Sequence, residues 1–301
     1  MRSNRAVLFT ELRKKTMSKL KIKKWDPTTL RKDACVLLLG KRGTGKSTLM
    51  RDLMYRVKDK LDYGIAMSPT EEASESLGTF LPPSWIYNDF DRPAIERLMN
   101  LQRKQWKREQ GGKNVFLLLD DCMYDKAIFR GESGKLFRSL MMNGRHRRIF
   151  FLNCQQYCMD MPPDLRSQVD VVFQLRDNQN SSRKKTFENF FGFFSSYDQF
   201  CRTLDATTEN YECLVYDSRC SQSNSITDSV FWYKADPNLP EFRVGSSVFW
   251  SLHERYYDSR KEEAIESGAI VARKDTKVIK GDQDGNTVRG GPLSTVWEGY
   301  D

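Results

Sequence analysis

The residues Gly40-Lys41-Arg42-Gly43-Thr44-Gly45-Lys46-Ser47, with Thr48 behind them, fit the spacing G-x-x-x-x-G-K-[ST]. Glycines let a backbone curl until its N–H groups surround phosphate oxygens. A helix opening near Lys46 aims the positive end of its dipole at the same oxygens. The Lys46 ammonium reaches β- and γ-phosphates, and the Ser47 hydroxyl ligates Mg²⁺. Gly40 through Thr48 are therefore the expected nucleotide-binding residues.

Two further segments carry groups that such chemistry needs. The apolar run Val115–Leu119 ends in Asp120-Asp121. A carboxylate at the carboxyl end of a central strand can hold the Mg²⁺ that bridges the β- and γ-phosphates, and Asp120 is assigned that role beside Ser47. Asp121 is placed to orient or deprotonate the attacking water, with less reach than the Glu often found there. The run Ile149–Phe151 emerges into Asn153, Gln155, Gln156 and Tyr157. An amide there senses the γ-phosphate and holds the water without changing charge. Gln156 is the first choice and Gln155 the second.

These groups need a scaffold that brings strand ends together. Cys35–Leu39 reads as a buried parallel strand and Ser47–Val57 as a helix with an apolar stripe. Further strands are expected at Gly64–Met67, Val115–Leu119, Ile149–Cys154 and Val169–Leu175, with a short edge strand at Trp85–Tyr87. Helices are expected at Asp91–Glu109, capped by Asp91, and at Glu132–Asn143. This alternation predicts an α/β fold, a mainly parallel sheet flanked by helices. Beyond it, Tyr211–Tyr216 and Val230–Tyr233 read as strands. Tyr197–Leu204 reads as a helix and Val248–Tyr257 as an amphipathic segment. The expected organisation is a basic arm over residues 1–26, a P-loop domain over 27–257 and a polar, partly flexible tail over 258–301.

Composition narrows the classes. Of 301 residues, 39% are apolar and 30% charged, which provides a core and excludes wholesale disorder. No run of ~18 apolar residues exists to span a membrane. The basic start lacks the apolar stretch of a secretory signal, so an intracellular protein is expected. Seven cysteines, an odd number without zinc-site spacing, read as reduced thiols. Only His146 and His253 are histidines, which argues against His-based nucleophilic or metal chemistry. The net charge is +9, of which residues 1–24 carry +8 through nine Lys/Arg and Glu11. Such an arm suits nucleic acid, an anionic membrane surface or an acidic protein.

The motifs together resemble the FtsK–HerA group of P-loop motor ATPases. The nearest likeness is to the poxvirus-type genome-packaging ATPases of large DNA viruses. The carrying segments are GKRGTGKST, LLLDDCMYD, NGRHRRIFFLNCQQY, PPDLRSQVDVVFQLRD and VFWYKA, spread over about two thirds of the chain. The resemblance implies ATP and Mg²⁺ as cofactors and a homo-oligomeric ring, a pentamer or hexamer. It implies a motor that drives double-stranded DNA into a preformed capsid. A viral capsid or portal protein is then a partner, and the host-cell cytoplasm or the virion is the location. It also implies a sensor strand between the P-loop strand and the Walker B strand, the additional-strand, RecA/FtsK-like arrangement. Asp120, Asp121 and Gln156 fall at the family's metal, catalytic-acid and sensor positions.

Such motors complete the site with an arginine from a neighbouring subunit. Arg145 and Arg166 are the favoured candidates, with Arg147 and Arg148 beside them. Arg42 would instead act on its own subunit's nucleotide. The arm, the Arg103–Lys113 region and Arg183-Lys184-Lys185 are candidate DNA contacts, to phosphates rather than bases. Two other readings fit the P-loop: a kinase of a nucleoside or small molecule, and a nucleotide-stabilised DNA-binding scaffold.

Overall fold

The computed structural model describes residues 20–109, 112–122, 126–156, 158, 161–220 and 225–257. The chain divides into a unit Met1–Arg255 and a unit Tyr256–Asp301. Of the second, Tyr256 and Tyr257 are described. The expected tail and residues 1–19 of the arm lie outside the described residues.

Strands are β1 (Lys23–Lys24), β2 (Cys35–Leu39), β3 (Tyr63–Met67), β4 (Ile86–Tyr87), β5 (Val115–Asp120), β6 (Ile149–Gln155), β7 (Val171–Gln174), β8 (Glu212–Asp217) and β9 (Val230–Lys234). Helices are α1 (Lys46–Val57), α2 (Glu71–Gly78), α3 (Arg92–Glu109), α4 (Gly131–Asn143), α5 (Pro163–Arg166), α6 (Asn180–Phe190), α7 (Tyr197–Thr207), α8 (Ile226–Ser229) and α9 (Ser247–Tyr256). The nine strands among the described residues form one sheet in the order β1-β9-β8-β7-β2-β6-β5-β3-β4. Its pairings are parallel except β7 with β8 and β8 with β9, so only β8 runs against the rest. β6, the strand expected to carry the sensor, lies between β2 and β5, the order that the resemblance implies. The mainly parallel α/β sheet read from the sequence is the observed fold.

The central strands are apolar throughout because both faces of the sheet are covered. Leu37 and Leu39 pack on one side with Ile95 and Leu98 of α3 and Phe137 and Leu140 of α4. Val36 and Leu38 pack on the other with Leu49, Leu53 and Met54 of α1 and Phe249 of α9. Register aligns the strand ends that matter: Leu39 lies opposite Gln155, and Asp120 opposite Cys154. Asp91 caps α3 as expected, its Oδ1 accepting from the Ala94 N–H at 2.7 Å.

The core begins before residue 26. β1 pairs with β9, and Trp25 is buried between Phe173 and Tyr233 at centroid distances of 5.0 and 5.3 Å. Its Nε1 donates to Asp217 Oδ2 at 3.1 Å. No helix among the described residues is long and apolar enough to cross a membrane.

Candidate active site

Helix α1 starts at Lys46 with Gly45 as its N-cap. Gly45 has φ +94° and Gly43 φ +80°, conformations that L side chains rarely adopt. No side chain caps α1, so the first amides remain donors for an anion. The helix is held in place from within the core, where Tyr233 donates its hydroxyl to Asp52 and Arg56 Nη2 pairs with Asp52 at 3.0 Å. The loop is held at its start by Gly40 N–H donating to the Gln155 carbonyl at 3.0 Å. The Lys41 ammonium lies 2.9 Å from Asp177 Oδ1.

Parallel order brings the carboxyl ends of β2, β5 and β6 side by side, and with them three of the sequence candidates. Lys46, nearly buried, donates through Nζ to Asp121 Oδ1 at 2.5 Å. Gln156 Nε2 donates to Asp121 Oδ2 at 3.1 Å. Asp121 itself has φ +51°, and its N–H donates to the Cys154 carbonyl at 3.1 Å. Gln156 is exposed beside the site, whereas Gln155 is buried within β6 and serves through its backbone. Tyr157 lies outside the described residues.

Asp120 closes β5 and is 5% exposed. Its Oδ1 is buried with no hydrogen-bond partner. Burial, reinforced by the Asp121 charge and opposed by Lys46, pushes its carboxyl up to about 6. An orphaned buried carboxylate oxygen that disfavours its own charge fits a cation. Ser47 and Thr48, at the start of α1, are exposed.

The arginine candidates sit elsewhere. Arg145 Nη2 donates to Asp170 Oδ1 at 2.7 Å, and Asp170 Oδ2 accepts from the N–H of Cys35, the first residue of β2. The P-loop follows the last residue of that strand, about 16 Å away at ~3.3 Å per residue. Arg166 ends α5, five residues before β7 begins. Neither belongs to its own chain's Lys46 cluster. Arg42 is exposed in the loop. Of the candidate DNA contacts, Lys184 and Lys185 are exposed, while Arg183 Nη2 donates to Asp205 Oδ1 at 2.5 Å. Arg103, Lys104, Lys107 and Arg108 are exposed at the end of α3. That end is near the strand starts, since Gln102 Nε2 donates to the carbonyls of Lys113 and Arg147.

Asp177 was not singled out from the sequence. Burial pushes its carboxyl up, but hydrogen bonds from Ser182, the Gln179 N–H and Lys41 outweigh it and hold the carboxyl below the usual range. Its signal was only an acid shortly after a strand that neighbours β2. Tyr211 also went unnoticed, and its ring lies against Gly45.

Comparison with known proteins gives these likenesses. The chain is 30% identical to the uncharacterized protein 088R of Invertebrate iridescent virus 3 over 213 residues, 70% of this chain and 80% of that protein. It is 30% identical to the uncharacterized protein 075L of Invertebrate iridescent virus 6 over 228 residues, 75% of this chain and 86% of that protein. The structure of the genome packaging NTPase B204 from Sulfolobus turreted icosahedral virus 2 with AMPPCP aligns at TM-score 0.49 and 16% identity, over 69% of this chain and 100% of that one. No family model matches the chain.

Proposed function

We propose that this chain, which belongs to the family of the iridescent-virus proteins 088R and 075L, is an ATP-hydrolysing motor that moves double-stranded DNA. The observation that carries the reading is the Lys46–Asp121–Gln156 cluster. A lysine, a carboxylate and an amide from three segments meet beside a helix terminus open to phosphate.

In this reading Gly40–Thr48 wrap the phosphates and Lys46 reaches the β- and γ-phosphates. Ser47 and Asp120 would hold Mg²⁺, which when bound would neutralise phosphate charge. An arriving nucleotide takes Lys46 away from Asp121. Asp121 is then free to accept a proton from water at its carboxylate, and Gln156 keeps that water aligned. Arg145 or Arg166 serves a neighbouring subunit's site; Arg145 is held by Asp170 at the opposite end of β2 from the phosphate loop. A ring of five or six subunits supplies that geometry.

The exposed cations at the end of α3 would meet DNA phosphates, with Lys184, Lys185 and the arm as further contacts. The sequence resemblance extends the reading to packaging of a viral genome into a preformed capsid. That places the protein at the viral assembly site or in the virion, against a capsid or portal protein. The test is ATP turnover with and without long duplex DNA. Stimulation by DNA is the expected result. Turnover that needs a small acceptor, or nucleotide binding without turnover, overturns it.

A further inference from the structure

Tyr211 is 70% exposed, the largest value among the exposed large hydrophobic side chains described. A lone exposed aromatic needs no explanation, but its backbone and its neighbour do. Asn210 and Tyr211 have φ of +51° and +64°, two successive left-handed residues. Asn tolerates that region, whereas a bulky ring is strained there, and such strain concentrates at functional sites. The ring is held at the phosphate loop: a Cβ built on Gly45 would lie 3.3 Å from Tyr211 Cδ1 and 3.7 Å from its Cβ.

Topology gives the ring a role. Asp120, Asp121 and Gln156 lie on the β6–β5 flank of β2. Tyr211 precedes β8, on the β7–β8 flank. Because β8 alone runs antiparallel, its beginning lies at the end of the sheet that carries the P-loop. Each flank extends two strands from β2, roughly 10 Å at ~4.8 Å per strand. A triphosphate whose γ end meets the carboxylates therefore directs its sugar and base toward the opposite flank, where the exposed ring stands.

We infer that Tyr211 is the platform on which the nucleobase stacks, and that it makes the site prefer purine nucleoside triphosphates. The inference rests on the nucleotide-site reading above. Every base presents a π-face, and the larger purine covers more of the ring.

The test is equilibrium binding of ATP, CTP and inorganic tripolyphosphate to the full chain and to three variants. Tyr211→Asn keeps a residue suited to the left-handed backbone and removes the ring. It should weaken ATP roughly tenfold, the scale of one base–aromatic stack. It should also erase the preference for ATP over CTP and leave tripolyphosphate unchanged. Tyr211→Phe should bind like the parent. In Tyr211→Trp, the new fluorescence should respond to ATP and not to tripolyphosphate. Unchanged ATP affinity in Tyr211→Asn overturns the inference. So does an equal loss for tripolyphosphate, which would make the ring a support for the loop. A failure of the site reading has a different signature: Lys46→Ala would then bind ATP and tripolyphosphate as the parent does.

Discussion

Lys46 Nζ and Asp121 Oδ1 lie 2.5 Å apart, joining the phosphate loop to the residue just after β5. The group that should grip phosphate and the group that should receive a proton neutralise each other. Phosphate must outcompete a carboxylate that is also held by Gln156.

Lys46→Ala should lower ATP turnover by on the order of 100-fold or more, the scale of removing one charge-stabilising donor. Nucleotide affinity should fall as well. Phosphate release and a binding titration measure the two effects. Near-parental turnover would remove Lys46 from the site.

Asp121→Asn and Asp120→Asn should fail in different ways. The first removes the proton acceptor, so turnover should drop about 10²–10⁴-fold. ATP affinity should hold or rise, because Lys46 loses its competing partner. The second should weaken binding only when Mg²⁺ is present, since the buried Asp120 oxygen has no other partner. Titrations with and without Mg²⁺ separate them. Parental behaviour in both would reverse the assignments.

Mixing Arg145→Ala or Arg166→Ala subunits with Lys46→Ala subunits should restore part of the turnover that each lacks alone. One subunit then supplies the intact pocket and its neighbour the intact arginine. Arg145 also pairs with Asp170, so a melting curve should accompany that variant. No recovery for either arginine, at concentrations where rings form, rules out both as trans groups.

Deleting residues 1–19 should weaken duplex DNA binding and flatten its salt dependence. The slope should change by about 0.9 for each phosphate that the arm no longer neutralises. The cut stops short of Lys23–Lys24 and Trp25, which belong to the sheet and core. Basal turnover should survive. An unchanged slope would assign the grip to the α3 end and leave the arm for an acidic surface.

Asp217→Asn tests the anchor of Trp25. Burial pushes the Asp217 carboxyl up, but hydrogen bonds from Arg219 and Trp25 and the Arg219 charge outweigh it and hold the carboxyl below the usual carboxylate range. A depressed carboxyl stabilises above its unfolded value and loses that contribution as pH falls through its folded value. The variant should therefore be about 3 kcal/mol less stable at neutral pH, the scale of breaking a buried ion pair. The gap should narrow as the pH falls below about 4 and through the lower folded value. Urea unfolding at both pH values checks it, and a gap independent of pH would refute the charge argument.

The motifs and central strands were legible because each is specified locally. An apolar run buried on both faces and a glycine loop need no distant partner to be read. Helix α2 was missed: of its described side chains only Leu77 is buried in the core, so no apolar stripe marks it. Gln156 rather than Gln155 meets Asp121. Gln155 is the last residue of β6 and Gln156 the first beyond it, so where the strand ends settles which of the two amides reaches Asp121. The strand at Lys23–Lys24 carries no apolar pattern and exists because β9 offers it an edge. Tyr211 was invisible because its signal is a backbone angle.

Strand β2 has parallel partners on both sides, and its residues Val36–Leu39 are buried. Mechanically it is a strut, laterally braced and too short to buckle. In the proposed motor, a displacement applied at the phosphate loop would reach the arginine-bearing end through that strut. The compliance of the proposed motor's cycle would then sit in the loops at either end of the strut. Stroke length would be set by loop geometry, and the sheet would fix only its direction.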